Sequence, residues 1–213
     1  MSVDIKICGL NTPETVEAAV AGHAAYIGFV FFETSPRAIT PDLLANLCLD
    51  IPKNVKKVGL FVDASMEAIA SVVSIGALDM IQLHGSEDPN MLAEIKSKFS
   101  LPVIKSIATA CEEDLATAQI YESSADMLLF DAKPPSGASR PGGNALSFDW
   151  SLVANQDWRL PWMLAGGINI ANITQAIEIS GASTIDVSSG VEDSPGIKCT
   201  EKITELLSFA ASL

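Results

Sequence analysis

The first strand-like segment of the chain, residues 3–8, places a carboxylate, an ammonium and a thiol on one face. Successive side chains of a β-strand point to opposite faces, so Asp4, Lys6 and Cys8 share one side and the apolar residues between them share the other. A free cysteine is most often a small apolar core residue. A lysine two residues before Cys8 would lower the pKa of its thiol, and this favours a chemical role for Cys8 at the end of a strand.

Other residues that could exchange protons or bind anions stand at or near the ends of later apolar segments. They are Arg37, Asp63, His84, Lys105, Asp131 and Asp186. Carboxyl and imidazole groups act as general acids and bases, and a guanidinium can bind a carboxylate through a planar pair of hydrogen bonds. These residues can take part in one reaction only if the fold brings the ends of these segments together.

Short apolar segments alternate with segments of helical periodicity along the whole chain. The predicted strands are 3–8, 25–30, 56–62, 78–83, 101–107, 125–130, 161–165 and 183–187, and the predicted helices are about 13–22, 41–48, 65–75, 88–98, 111–122, 148–154, 169–179 and 199–211. Thr12-Pro13, Thr40-Pro41 and Asp88-Pro89 each place a capping residue before a proline in the first helical turn, which supports the helix predictions.

This alternation predicts one domain over residues 1–213, folded as a closed (βα)8 barrel of parallel strands, the TIM-barrel fold. Near-continuous apolar strands followed by helices are typical of parallel sheets covered by helices, and eight such units fit a small barrel. An open doubly wound sheet is the alternative. It is disfavoured because Cys-Gly-Leu-Asn at 8–11 stands where that fold places a Gly-x-Gly-x-x-Gly turn.

In such a barrel the carboxyl ends of the strands meet at one mouth, and the loops after strands seven and eight commonly bind phosphate. Glycines there let backbone N–H groups approach the phosphate oxygens, and a helix N-terminus adds a favourable dipole. These loops contain Gly166-Gly167 and Ser188-Ser189-Gly190. Glycine pairs also occur in ordinary tight turns, but their presence at both positions favours a phosphate-bearing ligand.

Composition narrows the range of partners. The formal net charge of −13 opposes binding to nucleic acid or to an anionic membrane. The longest apolar run, residues 24–32, is much shorter than the roughly 20 residues that a spanning helix needs. The N-terminal residues lack an export signal, so a cytoplasmic location is expected. The four cysteines are widely spaced and there are two histidines, which argues against a disulfide framework and a metal site.

Eight short motifs resemble those of the phosphoribosylanthranilate isomerases of tryptophan biosynthesis. In order they are Lys-Ile-Cys-Gly at 6–9, Ser-Pro-Arg at 35–37, Gly-Leu-Phe-Val at 59–62, Gln-Leu-His-Gly at 82–85, Leu-Leu-Phe-Asp at 128–131, Gly-Gly then Phe-Asp-Trp at 142–150, Leu-Ala-Gly-Gly-Ile at 164–168 and Asp-Val-Ser-Ser-Gly-Val-Glu at 186–192. Each motif is weak alone, but the ordered series covers nearly the whole chain and is highly specific.

The resemblance implies an enzyme that catalyses an Amadori rearrangement. N-(5-phosphoribosyl)anthranilate opens its ribose ring and becomes 1-(2-carboxyphenylamino)-1-deoxyribulose 5-phosphate. The family's general acid matches Asp131, which would protonate the ring oxygen, and its general base matches Cys8, which would take the proton from sugar C2. Since two proton transfers suffice, the resemblance implies neither an organic cofactor nor a metal.

The same resemblance implies the residues that bind the substrate. Arg37 matches the residue that binds the anthranilate carboxylate. Asp186 is expected to face the sugar hydroxyls, with a structural hydrogen bond to neighbouring strands as the alternative. His84 is expected to line the pocket, with a buried core pair of His84 and Gln82 as the alternative. The expected phosphate-binding residues are Gly166, Gly167, Ser188, Ser189 and Gly190.

Residues 132–147, the lid segment, depart from the family pattern. The family's Gly-Gly-Thr-Gly turn has Asn144 and Ala145 at its last two positions here. The proline and glycine content of the segment predicts a lid over the mouth, with Lys133 or Arg140 meeting an anion. An exposed loop without a catalytic role is the alternative.

Two other classes of function remain open. A related phosphate-binding barrel enzyme, such as indole-glycerol-phosphate synthase or a ribulose-phosphate epimerase, would share the glycines but use a lysine acid or metal ligands. A non-catalytic phosphosugar-binding protein would lack Cys8 or Asp131. The expected partner is a small phosphosugar, and the chain is expected to be a monomer or a homodimer. Asp63 and Lys105 have no predicted role.

Overall fold

Across the described residues, eight parallel strands close into a barrel. The computed structural model describes residues 3–135, 137, 141–143, 145–154 and 156–213. Each strand pairs with the next in chain order, and the eighth pairs with the first. The predicted barrel is therefore confirmed. The strands are β1 (Asp4–Cys8), β2 (Tyr26–Phe31), β3 (Lys56–Phe61), β4 (Met80–Leu83), β5 (Val103–Thr109), β6 (Met127–Ala132), β7 (Trp162–Leu164) and β8 (Thr184–Val187).

Seven α-helices cover the barrel within the described part of the chain. They are α1 (Pro13–Ala21), α2 (Pro41–Leu47), α3 (Met66–Val73), α4 (Pro89–Phe99), α5 (Glu112–Tyr121), α6 (Ile173–Ser180) and α7 (Thr200–Ala210). The predicted caps Thr12, Thr40 and Asp88 each accept a hydrogen bond from a backbone N–H in the first turn, and a proline follows each of them. Each cap satisfies a helical donor that would otherwise be unpaired, and this fixes where the helix begins.

The helix predicted over 148–154 is wrong. The chain forms only a 3-10 turn there, Trp150–Leu152. The Asp149 carboxylate accepts hydrogen bonds from both the backbone N–H and the hydroxyl of Ser151, at 3.0 and 2.6 Å. This local side-chain bond favours a tight turn over a longer helix.

A short hairpin after β8 was not predicted. Its strands are β9 (Glu192–Ser194) and β10 (Ile197–Lys198), joined through Pro195 and Gly196. Gly196 has a φ of +87°, a conformation that glycine adopts at little cost. Strands of two or three residues are too short for periodicity to reveal, so only the Pro-Gly pair indicated a turn.

Two apolar layers fill the inside of the barrel. The lower layer consists of Val58, Ile104, Met127, Leu129, Met163 and Ala165. The upper layer, at the mouth, consists of Cys8, Val30 and Leu60, with Phe32 and Val62 packed against it. Ile5 and Ile7 instead join the larger core between strands and helices. The alternation predicted for β1 is thus confirmed, and it directs Lys6 and Cys8 into the barrel.

Candidate active site

A pocket opens at the carboxyl ends of the strands. It brings together most of the predicted site residues from six separate segments of the sequence. Those on its lining are Cys8, Arg37, His84, Asp131, Gly166, Gly167, Asp186, Ser188 and Ser189. The remaining predicted residue, Gly190, is not on the lining and packs instead against the loop after β7.

A buried ion pair lies at the β1 side of the pocket. Lys6 stands opposite Asp186 in the register of β1 and β8, and its Nζ donates to Asp186 Oδ1 at 2.9 Å. The Lys6 side chain is fully buried. Burial alone would lower the pKa of Lys6, but the charge of Asp186 and the hydrogen bond to it, together with the contribution of Cys8, outweigh the burial and raise that pKa. The ammonium is therefore kept, and Asp186 both pairs with it and lines the pocket.

The thiol of Cys8 differs from the prediction. Burial raises the pKa of Cys8, and the charge of Lys6, which lowers that pKa, does not offset the burial. The Asp186 carboxylate adds to the rise because it disfavours a second negative charge close by. The predicted lowering of the Cys8 pKa is wrong, and Cys8 is a neutral thiol at neutral pH.

Asp131 is held on the other side of the pocket, near the end of β6. Its Oδ1 accepts a hydrogen bond from the Ala132 backbone N–H at 2.8 Å, and its Oδ2 lies 3.2 Å from His84 Nε2. His84 is in turn fixed by Gln82 Nε2, 3.0 Å from its Nδ1, and by Ser106 Oγ, 3.3 Å from its Nε2. Asp131 and Cys8 thus face one pocket from β6 and β1.

Two alternatives were predicted for His84, a place on the pocket lining and a buried pair with Gln82, and the structure shows features of both. His84 lines the pocket, and it is also hydrogen-bonded to the fully buried Gln82. In the tautomer in which the Gln82 amide nitrogen donates to Nδ1, the His84 proton lies on Nε2 and points towards Asp131. In that tautomer the imidazole offers a donor to the Asp131 carboxylate.

Arg37 is buried and its guanidinium is partly committed to protein. Its Nε and Nη2 bind the two carboxylate oxygens of Glu192 at 2.7 and 2.8 Å. Its Nη2 also lies 3.4 Å from the Gly143 carbonyl oxygen. Gly9, with a φ of +83°, allows the Arg37 side chain to pack directly against the backbone, since a Cβ at residue 9 would lie 2.6 Å from Arg37 Cδ. Arg37 still lines the pocket, and Glu192 does not bind its Nη1.

The loops after β7 and β8 form a cradle of backbone N–H groups. Gly166 and Gly167 have φ values of +93° and +64°. Among the described residues, the N–H groups of Gly167, Ser189 and Gly190 donate to no protein acceptor. A Cβ on Gly190 would collide with the Ile168 carbonyl oxygen. Glycine at 190 therefore allows the two loops to pack together, and their N–H groups suit an anion.

The lid segment contributes to the lining through Pro141, Gly142, Gly143, Ala145 and Leu146. A Cβ on Gly142 would lie 2.5 Å from His84 Nε2 and 2.7 Å from Asp131 Oδ2, so this glycine allows the lid segment to contact both side chains closely.

The two basic residues predicted to meet an anion from the lid segment have different outcomes. Lys133 binds Asp114 at 2.7 Å on the surface, with about half of its side chain exposed. The prediction for Arg140, and the one for Asn144, lie outside the described residues.

Asp63 and Lys105, which had no predicted role, belong to a hydrogen-bond network away from the lining, in which Lys105 and Glu87 are buried and Asp63 is exposed. Lys105 Nζ donates to Glu87 Oε2 at 2.8 Å and to the carbonyl oxygens of Gly85 and Leu83 at 2.6 and 3.4 Å. Glu87 also accepts from the backbone N–H of Asp63 at 2.9 Å. This network ties the loop after β4, which follows His84, to β3 and β5.

Two contributors to the site were not predicted. Glu192 and Lys198, on the hairpin after β8, contact Arg37 and Ser188 from behind the lining. Glu192 ends the motif at 186–192, which was the one available signal, whereas nothing in the sequence around Lys198 indicated its position.

Within the described part of the chain, no three His, Cys, Asp or Glu side chains are grouped as a metal ion would require. Nor does that part contain a helix long and apolar enough to span a membrane.

Comparison with known proteins gives consistent matches over the full length. The model of the family described as N-(5'phosphoribosyl)anthranilate (PRA) isomerase matches residues 5–208. An N-(5'-phosphoribosyl)anthranilate isomerase from Parvibaculum lavamentivorans is 50% identical over 212 residues, which cover 99% of each chain.

Solved structures agree with the sequence matches. One is a phosphoribosyl anthranilate isomerase in complex with reduced 1-(o-carboxyphenylamino)-1-deoxyribulose 5-phosphate. Another is a monomeric form generated from the dimeric phosphoribosylanthranilate isomerase of Thermotoga maritima. Each is 32% identical to this chain with a TM-score of 0.85, and the match covers 99% of this chain and 100% of the other.

Proposed function

The chain belongs to the N-(5'-phosphoribosyl)anthranilate isomerase family, and we propose that Asp131 is its general acid and Cys8 its general base. The protein is an aldose-ketose isomerase that rearranges N-(5-phosphoribosyl)anthranilate to 1-(2-carboxyphenylamino)-1-deoxyribulose 5-phosphate in tryptophan biosynthesis. We infer that residues 1–213 form one catalytic domain. The assignment of acid and base depends on one observation: the two proton-exchanging side chains face a single pocket from β1 and β6.

In the first step Asp131 donates its proton to the furanose ring oxygen, and the ring opens to an iminium. The carboxylate that remains is stabilised by the hydrogen bond from Ala132 N–H and by His84 Nε2, 3.2 Å away. Such prearranged donors favour charge that develops during the reaction. Gly142 closes over this pair and limits access of water.

In the second step Cys8 takes the proton from sugar C2. Burial raises the pKa of Cys8, so the thiolate is disfavoured until a positive charge comes near. The iminium supplies that charge, and it also acidifies the C2 proton. Lys6 and the iminium together offset the burial of the thiolate. The two steps are therefore ordered, with the acid acting before the base.

The two ends of the substrate bind to different groups. The free edge of Arg37 receives the anthranilate carboxylate through charge-assisted hydrogen bonds. The phosphate binds at the N–H groups of the loops after β7 and β8, to which Gly166, Gly167, Ser188, Ser189 and Gly190 belong. Asp186, on the lining beside Cys8, faces the sugar hydroxyls. These local groups bind an anion in spite of the overall charge of −13.

The test is the loss of phosphoribosylanthranilate fluorescence when protein is added to substrate generated in place. We expect Cys8→Ser and Asp131→Asn each to lower kcat by about 10²–10⁴-fold with little change in thermal stability. Cys111→Ser and Asp193→Asn, which change exposed residues of the same types, serve as matched controls and should retain the rate. A Cys8→Ser variant with full activity would exclude Cys8 as the base. A folded wild-type protein without activity would instead contradict the function itself.

We further infer a cytoplasmic location and a monomer or homodimer. The biosynthetic activity of the family supports the location. Cell fractionation tests the location, and sedimentation velocity across a concentration series tests the assembly. A single species of higher order than a dimer would contradict the second inference.

A further inference from the structure

Glu192 is shared by two buried cations behind the pocket. Its Oε1 lies 2.7 Å from Arg37 Nε and 2.8 Å from Lys198 Nζ, and its Oε2 lies 2.8 Å from Arg37 Nη2. The three side chains are between 0% and 5% exposed. With both cations protonated, the cluster carries a net charge of +1 in a region with little access to water. One more carboxylate would balance it.

Glu192 also decides which edge of the guanidinium is free. A guanidinium is planar and offers donors along two edges. The edge formed by Nε and Nη2 is taken by Glu192, and among the described residues Nη1 donates to no protein acceptor, so Nη1 is the nitrogen available to a ligand. Gly143 of the lid segment lies next to it, since a Cβ on Gly143 would be 2.6 Å from Arg37 Nη1.

Lys198 connects Glu192 to the loop after β8. Its Nζ donates to the Ser188 carbonyl oxygen at 2.8 Å, contacts Ser188 Oγ at 3.2 Å and binds Glu192 Oε1 at 2.8 Å. Ser188 Oγ donates in turn to the Cys8 carbonyl oxygen at 3.0 Å. Glu192 and Lys198 are paired across the β9–β10 hairpin, so this short element sets the position of both.

The charge of Lys198 responds to its surroundings. Burial lowers the pKa of Lys198; Glu192 opposes this effect, and Arg37 adds to it. A carboxylate bound at Arg37 would supply a second nearby negative charge and would favour the protonated lysine. The anion and the ammonium are therefore expected to stabilise each other across Glu192 and Arg37.

We propose that Glu192 and Lys198 are positioning residues that make the pocket selective for a carboxylate-bearing substrate. Glu192 orients Arg37, and Lys198 supplies the unbalanced positive charge while fixing the loop after β8. Neither residue needs to touch the substrate. This inference rests on the proposed function, because the carboxylate in question is that of the anthranilate ring.

The test compares two ligands that differ only in that carboxylate. The first is reduced 1-(2-carboxyphenylamino)-1-deoxyribulose 5-phosphate, and the second is its phenylamino counterpart. The dissociation constant of the second ligand divided by that of the first, both measured by calorimetry, gives the carboxylate selectivity. We expect Glu192→Gln, Glu192→Asp and Lys198→Gln each to lower this ratio by roughly tenfold. Affinity for the second ligand should change much less in the two Glu192 variants, whereas Lys198→Gln should weaken both ligands, because Lys198 also fixes the phosphate-binding loop after β8.

Glu192→Asp separates orientation from charge. It keeps the negative charge but is one methylene shorter, so it cannot hold the same edge of Arg37 while reaching Lys198. If charge alone mattered, Glu192→Asp would match wild type and Glu192→Gln would raise the selectivity by leaving two unbalanced cations. Either result would overturn the role of Glu192. Where Glu192→Gln does not fold, Glu192→Asp decides.

Matched controls lie outside the cluster. Glu201→Gln and Lys98→Gln change exposed residues of the same types, and both should keep the wild-type ratio. Equal losses in these controls would show that the effect is not specific to the cluster, which would overturn the proposal. A wild-type protein that prefers neither ligand would instead contradict the assignment of Arg37 and the proposed function.

Discussion

Lys6 and Lys105 are both buried lysines paired with a carboxylate, but they lie on opposite sides of the barrel wall. Lys6 points into the barrel and binds Asp186 at 2.9 Å; Lys105 binds Glu87 at 2.8 Å. Lys105 points outwards, because Ile104 before it belongs to the inner lower layer and its own Nζ lies 5.4 Å from the ring of Tyr121 on α5.

The two lysines differ in how fully their donors are used. Lys105 reaches a carboxylate and two carbonyl oxygens, which matches the three donors of an ammonium group. Among the described residues Lys6 donates to a single oxygen acceptor, Asp186, and its other contact is with the Cys8 thiol, whose pKa it lowers. A fully satisfied buried lysine stabilises the fold, whereas one with donors to spare beside a pocket influences chemistry.

The largest effect that this comparison predicts is on stability. Lys105→Met leaves the buried carboxylate of Glu87 unpaired, and we expect the free energy of unfolding to fall by about 3–5 kcal/mol. Because Lys105 does not line the pocket, kcat per folded molecule should stay within about twofold of wild type. Urea denaturation and steady-state kinetics measure the two quantities.

Lys98→Met is the matched control for that prediction. Lys98 lies exposed on α4, and its loss should change the free energy of unfolding by less than about 0.5 kcal/mol. Similar urea midpoints for the two variants would show that the buried network adds nothing to stability. A large loss of kcat in Lys105→Met would remove the distinction between the lysines.

A smaller effect, mainly on rate, is expected for Lys6→Met. The variant removes a charge that lowers the pKa of Cys8, and kcat should fall roughly tenfold for each unit by which that pKa rises. Asp186 loses its partner but borders the pocket, so we expect a stability loss of only about 1–3 kcal/mol.

Lys6→Arg tests whether charge is the reason for that loss. It keeps a cation opposite Asp186 and should retain more activity than Lys6→Met when both are assayed as folded protein. An unchanged kcat in Lys6→Met would mean that the lysine only balances Asp186, and the two lysines would then be equivalent.

Much of the fold could be predicted from the sequence because its determinants are local. Apolar periodicity located the eight strands to within a few residues, and Thr12, Thr40 and Asp88 marked helix starts because capping involves neighbours in the chain. The helix predicted at 148–154 was wrong for a reason that is also local. The Asp149 carboxylate accepts a hydrogen bond from Ser151 N–H and stabilises a tight turn. Apolar periodicity contains no information about such a bond.

The electrostatics of the site could not be predicted in the same way, because they depend on distant partners. Lys6 and Asp186 are 180 positions apart, and Arg37 and Glu192 are 155 apart. Alternation placed Lys6 and Cys8 on one face. It could not show that Lys6 would form an ion pair with Asp186. Nor could it show that burial would raise the pKa of Cys8 by more than the charge of Lys6 lowers it.

The smallest effect predicted by the comparison is on the pH dependence of Cys8 alkylation. Only the thiolate reacts with iodoacetamide, and burial raises the pKa of Cys8, so the rate should still be rising at pH values where an ordinary thiol has reached its plateau. Lys6→Met should shift the profile further towards alkaline pH, and Lys105→Met should leave it in place. Mass spectrometry of the peptide that contains residue 8 follows this site separately from the other three cysteines.

The proton that Cys8 retains in the folded protein also determines how the free energy of unfolding depends on pH. Because the folded protein holds the Cys8 proton at a pH where the unfolded chain has lost it, the free energy of unfolding should fall as pH rises above the unfolded thiol value. Cys48, whose pKa burial raises to about 11, contributes in the same direction. A Cys8 alkylation profile with its midpoint below that of an ordinary thiol would reverse this sign for Cys8. It would mean that Lys6 outweighs burial, and that the base is already poised before the substrate ring opens.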